Sequence, residues 1–441
     1  MLSNPLMLPK ELNYISEYSR LPSGTVRTQM VVSPINGATF GPSTVITFNL
    51  ERRGYMVPES MYIRYNTTYT ARDAVVGTAN FIRGTPVYTF IQKLETIVDG
   101  SIIELIHNYG QIANFLVNSK MNYAQKVGVA SCYGYNQGAQ TGFAFTFSTS
   151  APNGQSLSTT TSTAPSTFSY SAPLGCVLSN SNNLVPLKSM QNVTIQLTTE
   201  AFNNVFSLDA THPISSYEID DIQLCYSIIE FSPQVDSIIS SKSPTILLKS
   251  QSYTNSAVSL IVNSIGSLEF LFHNRLASIK SVFALISGTD PANSRNMLFD
   301  AIDCTANRGD YQWVINSIAY PTRPLSTLIN KSAILMELSS AFGETHNLNN
   351  TNFSINPVEF NTLGTTGTTQ NQPGKFYLGV NCEQMSTNDV FLTGVSSQNG
   401  PISFRISLGV ANTRAHIINQ ICLYDVILSI DTRTSKVSVM S

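Results

Sequence analysis

The sequence predicts an all-β protein built from two tandem antiparallel β-sandwiches. Three observations carry that expectation: length, composition and an internal repeat. At 441 residues the chain exceeds the usual size of one domain, so two cores are expected. Only 12% of the residues are charged, and Ser, Thr, Asn and Gln supply the remaining polarity. That balance suits strands joined by neutral polar loops better than a charged, helix-rich enzyme. The third observation is that segments of the second half repeat the order and spacing of segments of the first.

The repeat opens with STVITFNLERRGYMVPESMYIRYN, residues 43 to 66, against SIGSLEFLFHNRLASIKSVFALIS, residues 264 to 287. Each has an alternating strand (Val45 to Leu50; Leu268 to Phe272) and a turn carrying arginine (Arg52 and Arg53; Arg275). Each then has a second strand introduced by a serine (Ser60; Ser278). Both halves also close alike, with IQLCYSIIEF from Ile222 to Phe231 set against ICLYDVILSI from Ile421 to Ile430. An alternating strand precedes each closing strand, VTIQLT from Val193 to Thr198 and FRISL from Phe404 to Leu408. Alternation at period two sends one set of side chains to the core and the other outward, as in half-buried antiparallel strands.

Each half carries one helical interruption. Asn108 to Lys120 places Tyr109, Ile112, Phe115 and Leu116 on one face, with Asn108 as the expected N-cap and Lys120 suited to the C-terminal end. Ser326 to Phe342 places Leu328, Leu335, Leu338 and Phe342 likewise, after Pro324 and before Gly343. Between the halves, residues 232 to 249 hold two Ser-Pro steps and little periodicity, the composition of a connector. The expected division is an N-terminal arm at 1–24, a first sandwich at 25–240 and a second at 241–441. Long loops rich in Ser, Thr, Gly and Asn fall at 136–173 and 345–374. The aromatics within them, Phe143, Phe145, Phe147, Phe168, Tyr170, Phe353 and Phe360, suggest short hairpins that pack on something.

Bulk properties exclude several function classes. The net charge is -2 with no run of Lys or Arg, so tight electrostatic binding of nucleic acid is not expected. No basic region leads into an apolar stretch near Met1, and no apolar run reaches the roughly 18 residues of a membrane span. Cys132, Cys176, Cys225, Cys304, Cys382 and Cys422 are scattered singly, and we expect reduced thiols from a cytosolic or nuclear assembly site.

Residues able to carry chemistry are present but not arranged for it. His107, His212, His273, His346 and His416 lack metal-ligand spacing. No phosphate-binding glycine loop or nucleophile elbow occurs. Glu218, Asp220 and Asp221, and Asp99 with Glu104, are the carboxylate groupings a glycosidase would require, and such groupings are more often solvated turns. Trp313 reads as a core or interface anchor. The sequons at Asn66, Asn192, Asn330, Asn349 and Asn352 fit an Asn/Thr-rich composition without a secretory route. No catalytic, cofactor-binding or metal-binding residue is expected.

LPSGTVRTQMVVSPINGATFGPSTVITFNL (residues 21 to 50), ESMYIRYN, NYGQIANFL, VPLKSMQNVTIQL and SLEFLFHNRLASIKSVFALIS, in that order, resemble double jelly-roll major capsid proteins of small double-stranded DNA viruses. The branch they look most like is that of polinton-like viruses and virophages. The resemblance spans residues 21 to 432 and rests on motif order. It implies two tandem eight-stranded jelly rolls with short helices and long inserted loops. It implies a homotrimer of pseudo-hexameric outline that tiles an icosahedral shell beside neighbouring capsomers, penton and minor or cement proteins, assembled in the host cytoplasm or nucleus. The alternatives are a secreted or surface carbohydrate-binding adhesin, a minor capsid or spike protein, and a β-sandwich glycoside hydrolase.

Overall fold

A computed structural model describes residues 24–69, 80–82, 84–134, 156–157, 166–207, 216–289, 309–327, 329–343, 354–355, 360, 376–384, 392–411 and 415–440. The first half forms β1 (Val26–Val32), β2 (Val45–Asn49), β3 (Tyr55–Tyr69), β4 (Ile91–Val98) and β5 (Ser101–Ile106). Helix α1 (Tyr109–Lys120) follows, and then β6 (Ser166–Pro173), β7 (Val193–Thr199) and β8 (Tyr217–Glu230). Helix α2 (Pro233–Lys242) leads to β9 (Thr245–Leu260), β10 (Gly266–Phe272), β11 (Ile279–Thr289), β12 (Gly309–Ile315) and β13 (Ile318–Ser326). Helix α3 (Lys331–Ala341), β14 (Leu378–Asn381), β15 (Ile402–Leu408) and β16 (Ala415–Asp431) complete the second half.

The sheets of the first half run β1-β8-β3-β6 and β2-β7-β4-β5, and those of the second run β9-β16-β11-β14 and β10-β15-β12-β13. Adding eight to each label of the first pair yields the second pair. Two antiparallel sheets with four strands each in this order are a jelly roll, two Greek keys folded face to face, and a short extra strand pairs with the closing strand of each half, Thr39–Phe40 with β8 and Val437–Met440 with β16. Each half is therefore built on an eight-stranded jelly roll, as the family resemblance implies.

Local chemistry repeats with the topology. In both rolls the fourth and fifth strands join through two residues of positive φ, Asp99 (49°) and Gly100 (75°), then Asn316 (48°) and Ser317 (67°). The pairs Val98–Ser101 and Ile315–Ile318 close the two hairpins. Such turns match the right-handed twist of the flanking strands and favour Asp, Asn and Gly. Alternation then fills the cores: Ile46 and Phe48 on β2, and Ile195 and Leu197 on β7, are buried between the sheets. Trp313 is fully buried in the second core, 4.9 Å from Phe404 and edge-on 5.5 Å from Tyr311, which makes it the expected core anchor.

Several sequence readings shift. The two closing strands align one residue out of step in sequence. Leu224, Tyr226 and Ile228 are buried on β8, whereas on β16 the buried alternate set is Cys422, Tyr424 and Val426, one position before the residues paired with Leu224, Tyr226 and Ile228 in the sequence comparison. A one-residue slip exchanges the faces of a strand. Strand β3 begins at Tyr55, well before Ser60, which lies at a register shift and accepts the Ser227 N–H at 2.8 Å. Residues 166–173, read as the end of a long loop, form β6, where Phe168 stacks on Tyr69 at 5.0 Å. The connector contains α2, entered through Pro233 at its first turn. Helix α3 begins at Lys331, not Ser326, because Pro324 and Leu325 still belong to β13 and Leu325 pairs with Tyr311. Its buried residues are Ile334, Leu338 and Ala341, with Leu335 half-buried. Leu328, Phe143, Phe145, Phe147 and Phe353 lie outside the described residues, as does the arm at 1–23. Phe360 is buried and stacks at 4.7 Å on Phe376.

The thiols give a direct check on these cores. Cys176, Cys225, Cys382 and Cys422 are free and buried, Cys132 is free and exposed, and Cys304 lies outside the described residues. Burial pushes the Cys176 and Cys422 thiols up to about 12, so they lack both access and thiolate character. A maleimide is expected to label native Cys132 before any of the four buried thiols, with mass spectrometry reading the order. Rapid labelling of native Cys176 would contradict this packing.

Candidate functional site

The most highly built surface in the chain is the junction between the rolls, and α1 is its centre. Tyr109, Ile112 and Phe115 are buried as predicted, but the opposite side of α1 is buried too, including Gln111, Asn114, Asn118 and Ser119. A helix buried all round lies between two bodies and not on a surface. Gly110 explains the close seating on the first roll, since a Cβ there would meet the Tyr88 carbonyl oxygen at 2.5 Å. Asn108 occupies the N-cap position with left-handed backbone (φ 48°, ψ 41°) and makes no side-chain cap, so its role is the backbone turn into the helix.

The far side of α1 faces the second roll. The Phe115 ring sits 4.9 Å from Tyr377, 5.1 Å from Phe283 on β11 and 5.5 Å from Phe342 at the end of α3. Edge-to-face rings at such spacing gain energy beyond their buried area. One turn earlier, Gln111 Oε1 accepts from Asn419 Nδ2 on β16 at 3.0 Å. One turn later, Lys120 lies over the Phe342 ring at 5.8 Å.

A polar seam runs beside these rings. Glu104 on β5 is 3% exposed. Its Oε2 accepts from Thr96 Oγ1 at 2.9 Å and from the Val177 N–H at 2.9 Å. Its Oε1 accepts from Ser252 Oγ on β9 of the second roll. Burial raises the Glu104 pKa, opposed by these hydrogen bonds, and the neutral groups Tyr109, Cys176 and Tyr424 surround it. The loop after β6 adds backbone contacts: the Asn182 N–H donates to Lys249 O at 3.2 Å, Asn180 Nδ2 donates to Gln251 O at 3.0 Å, and Ser250 Oγ donates to Val177 O. These contacts cover part of the free edge of β9, which would otherwise be an open pairing template.

A second set of contacts clasps the connector end. Arg53 forms two 2.7 Å hydrogen bonds to the carboxylate of Glu230, at the end of β8. Lys188 pairs with Asp236 of α2 at 2.5 Å and lies over the Tyr55 ring at 4.6 Å. Arg52 Nη2 donates to Ser435 Oγ at 2.9 Å, reaching the C-terminal segment of the second half. The arginine turn recognised in the repeat thus ties the first roll to its connector and to the other roll.

The carboxylates and histidines are not gathered into a reaction centre. Glu218, Asp220 and Asp221 lie within β8 and not in a turn, and Asp221 (φ 46°) marks a break in the pairing with β3. Asp99 is a turn residue, and Glu104, grouped with it in the sequence as a solvated carboxylate, is buried in the junction. Its burial had no local signal, because the partner that encloses it lies 148 residues away in sequence. His107, His273 and His416 sit on separate elements, and His212 and His346 lie outside the described residues. Among the described residues no group of three or more His, Cys, Asp or Glu is placed to hold a metal ion, and no helix is long and apolar enough to cross a membrane.

Two jelly rolls in tandem, joined by a buried junction, define the double jelly-roll class. No known sequence family and no curated protein matches the chain. Among solved structures, the Faustovirus major capsid protein aligns over 97% of this chain and 93% of its own, with a TM-score of 0.61 and 10% identity. VP54 of PBCV-1, fitted into a reconstruction of the virophage Sputnik, aligns over 96% and 98%, with a TM-score of 0.60 and 9% identity. The major capsid protein of mavirus aligns over 100% and 96%, with a TM-score of 0.54 and 12% identity. The chain shares its fold with these proteins from end to end.

Proposed function

We propose that this chain is the major capsid protein of a double-stranded DNA virus, a structural subunit and not an enzyme. The observation that carries the reading is the repeated strand order of two rolls locked together by α1 and Glu104. A shell subunit must present rigid, similar sides to its neighbours, and a duplicated sandwich with a buried junction does so. The three viral capsid proteins that share the fold along nearly their whole length support the same role.

In this reading residues 1–24 form an arm, 25–240 the first roll and 241–441 the second. Three copies close into a capsomer with six similar lobes, because two rolls in each of three chains present six similar edges. Capsomers then meet one another, with penton and cement proteins completing an icosahedral shell assembled in the host cytoplasm or nucleus. The loops at 136–173 and 345–374 supply its variable outward surface, apart from β6 and the buried Ile355 and Phe360. Light scattering on the purified protein tests the subunit count: three chains of 48.1 kDa give about 144 kDa. A monomer at every concentration, binding glycans, would favour an adhesin.

A further inference from the structure

Three Asn-Gly steps occur in the sequence, at Asn36, Asn153 and Asn399, and Asn153 lies outside the described residues. Such a step rearranges without any enzyme: the backbone nitrogen of the glycine attacks the asparagine Cγ, a five-membered succinimide closes and ammonia leaves. Water then opens the ring to aspartate or, at the other carbonyl, to isoaspartate, whose main chain runs through the side-chain carbon. Glycine permits the attack because no Cβ crowds its nitrogen. The geometry is demanding, since the reacting atoms must come to about 3–3.5 Å with their orbitals aligned. The fold therefore decides which steps react.

The two described steps differ in the features that govern closure. Asn36 and Asn399 are both exposed. Asn36 is held at both ends of its amide: Nδ2 donates to Val45 O at 2.6 Å, and Oδ1 accepts the Thr47 N–H at 3.0 Å. Gly37 lies against a ring, where a Cβ would meet Phe40 Cε1 at 3.3 Å. The Asn399 side chain has no such bonds among the described residues. A Cβ at Gly400 would meet nothing within 4 Å, and the Gly400 N–H reaches Ser397 O only at 3.4 Å, the long limit of a hydrogen bond. The base of this turn is fixed, because the Ser397 hydroxyl donates to Asn274 O at 2.5 Å and accepts the Leu276 N–H at 3.0 Å. A rigid base thus carries an open tip.

We infer that Asn399-Gly400, in the turn that enters β15, is a self-modification site at which Gly400 N attacks Asn399 Cγ, while the fold protects Asn36-Gly37. The inference goes beyond the capsid-subunit reading and does not depend on it. Each conversion adds one negative charge to a chain of net charge -2 and, as isoaspartate, one extra main-chain carbon ahead of β15. The site also distinguishes the two rolls. The turn that enters β7, the counterpart strand, reads Gln191, Asn192, Val193, and a β-branched residue stands where glycine is needed.

The test incubates the purified full-length chain in mildly alkaline buffer, once folded and once in urea, and peptide mass spectrometry follows the mass gained as each amide becomes an acid. In urea the Asn36 and Asn399 steps are expected to react at similar rates. In the folded chain Asn399 is expected to stay close to its urea rate, whereas Asn36 slows about 100-fold, the cost of holding reacting atoms about 1 Å out of place. Isoaspartyl methyltransferase with S-adenosylmethionine is expected to label the peptide containing residue 399, because that enzyme accepts the rearranged main chain. Gly400→Ala enters open space at a backbone conformation that L residues adopt. It is expected to fold, as circular dichroism checks, and to lose most of the conversion at Asn399. Folded Asn399 converting no faster than Asn36 overturns the inference, and so does an Asn399 that converts in urea but not in the folded chain. Undiminished conversion in a folded Gly400→Ala chain overturns the assignment of Gly400 N as the attacking atom.

Discussion

Replacing Phe115 by alanine is expected to destabilise the protein by about 3–5 kcal/mol and to split one thermal transition into two. The ring is fully buried, and its three aromatic neighbours, Phe283, Phe342 and Tyr377, all belong to the second roll. Truncation opens a cavity between two bodies that each have their own core, so the loss falls on the coupling and not on either core. Calorimetry separates the cases, because a coupled pair unfolds as one unit and an uncoupled pair as two. A conservative Phe115→Leu change retains most of the volume and is expected to cost about half as much. A single unshifted transition for Phe115→Ala would show that α1 does not weld the rolls.

The second large effect concerns Glu104 and carries a sign. Burial raises its pKa, so the folded chain holds the proton more tightly than the unfolded chain. Its contribution is therefore fully present below the ordinary value of 4.5 and is lost as pH rises through the elevated folded value. Either protonation state is accommodated, because the Ser252 hydroxyl can donate to the carboxylate or accept from the carboxylic acid. Glu104→Gln keeps all three contacts, the amide donating to Ser252 while its carbonyl accepts from Thr96 and Val177. The Gln variant is expected to lose this pH dependence and to exceed the wild type in stability above the folded pKa. Glu104→Ala leaves the Val177 N–H and two hydroxyls without their acceptor and is expected to cost about 3 kcal/mol. Urea denaturation between about pH 4 and pH 8 reads all three proteins. A wild-type stability that rises across that range in parallel with the Gln variant would contradict the assignment.

The fold was legible because strands carry their pattern locally. VTIQLT, FRISL and the two closing strands alternate in the sequence as they alternate in burial, and the repeat made the second roll readable from the first. The junction was less legible. Phe115 was recognised as a core residue of a helix, but nothing near it indicates that its core is shared with Phe283 and Tyr377. Glu104 looked like many solvated carboxylates because the strand that buries it, β9, is supplied by the other roll. Helix α3 was extended too far since Ser326 and Pro324 resemble a helix entry, while pairing with β12 holds them in a strand. Long-range pairing also decided the register of β16, where adjacent apolar residues on both faces let the sequence comparison slip by one.

In the proposed function, two like rolls held in one chain give a subunit whose threefold association presents six similar lobes. Cryo-electron microscopy of the purified, unassembled protein tests it most directly. Threefold particles with six lobes of alternating identity, each adjacent pair related by about 60°, are the predicted result. Isolated two-lobed particles, or rings whose lobes do not number six, would contradict it.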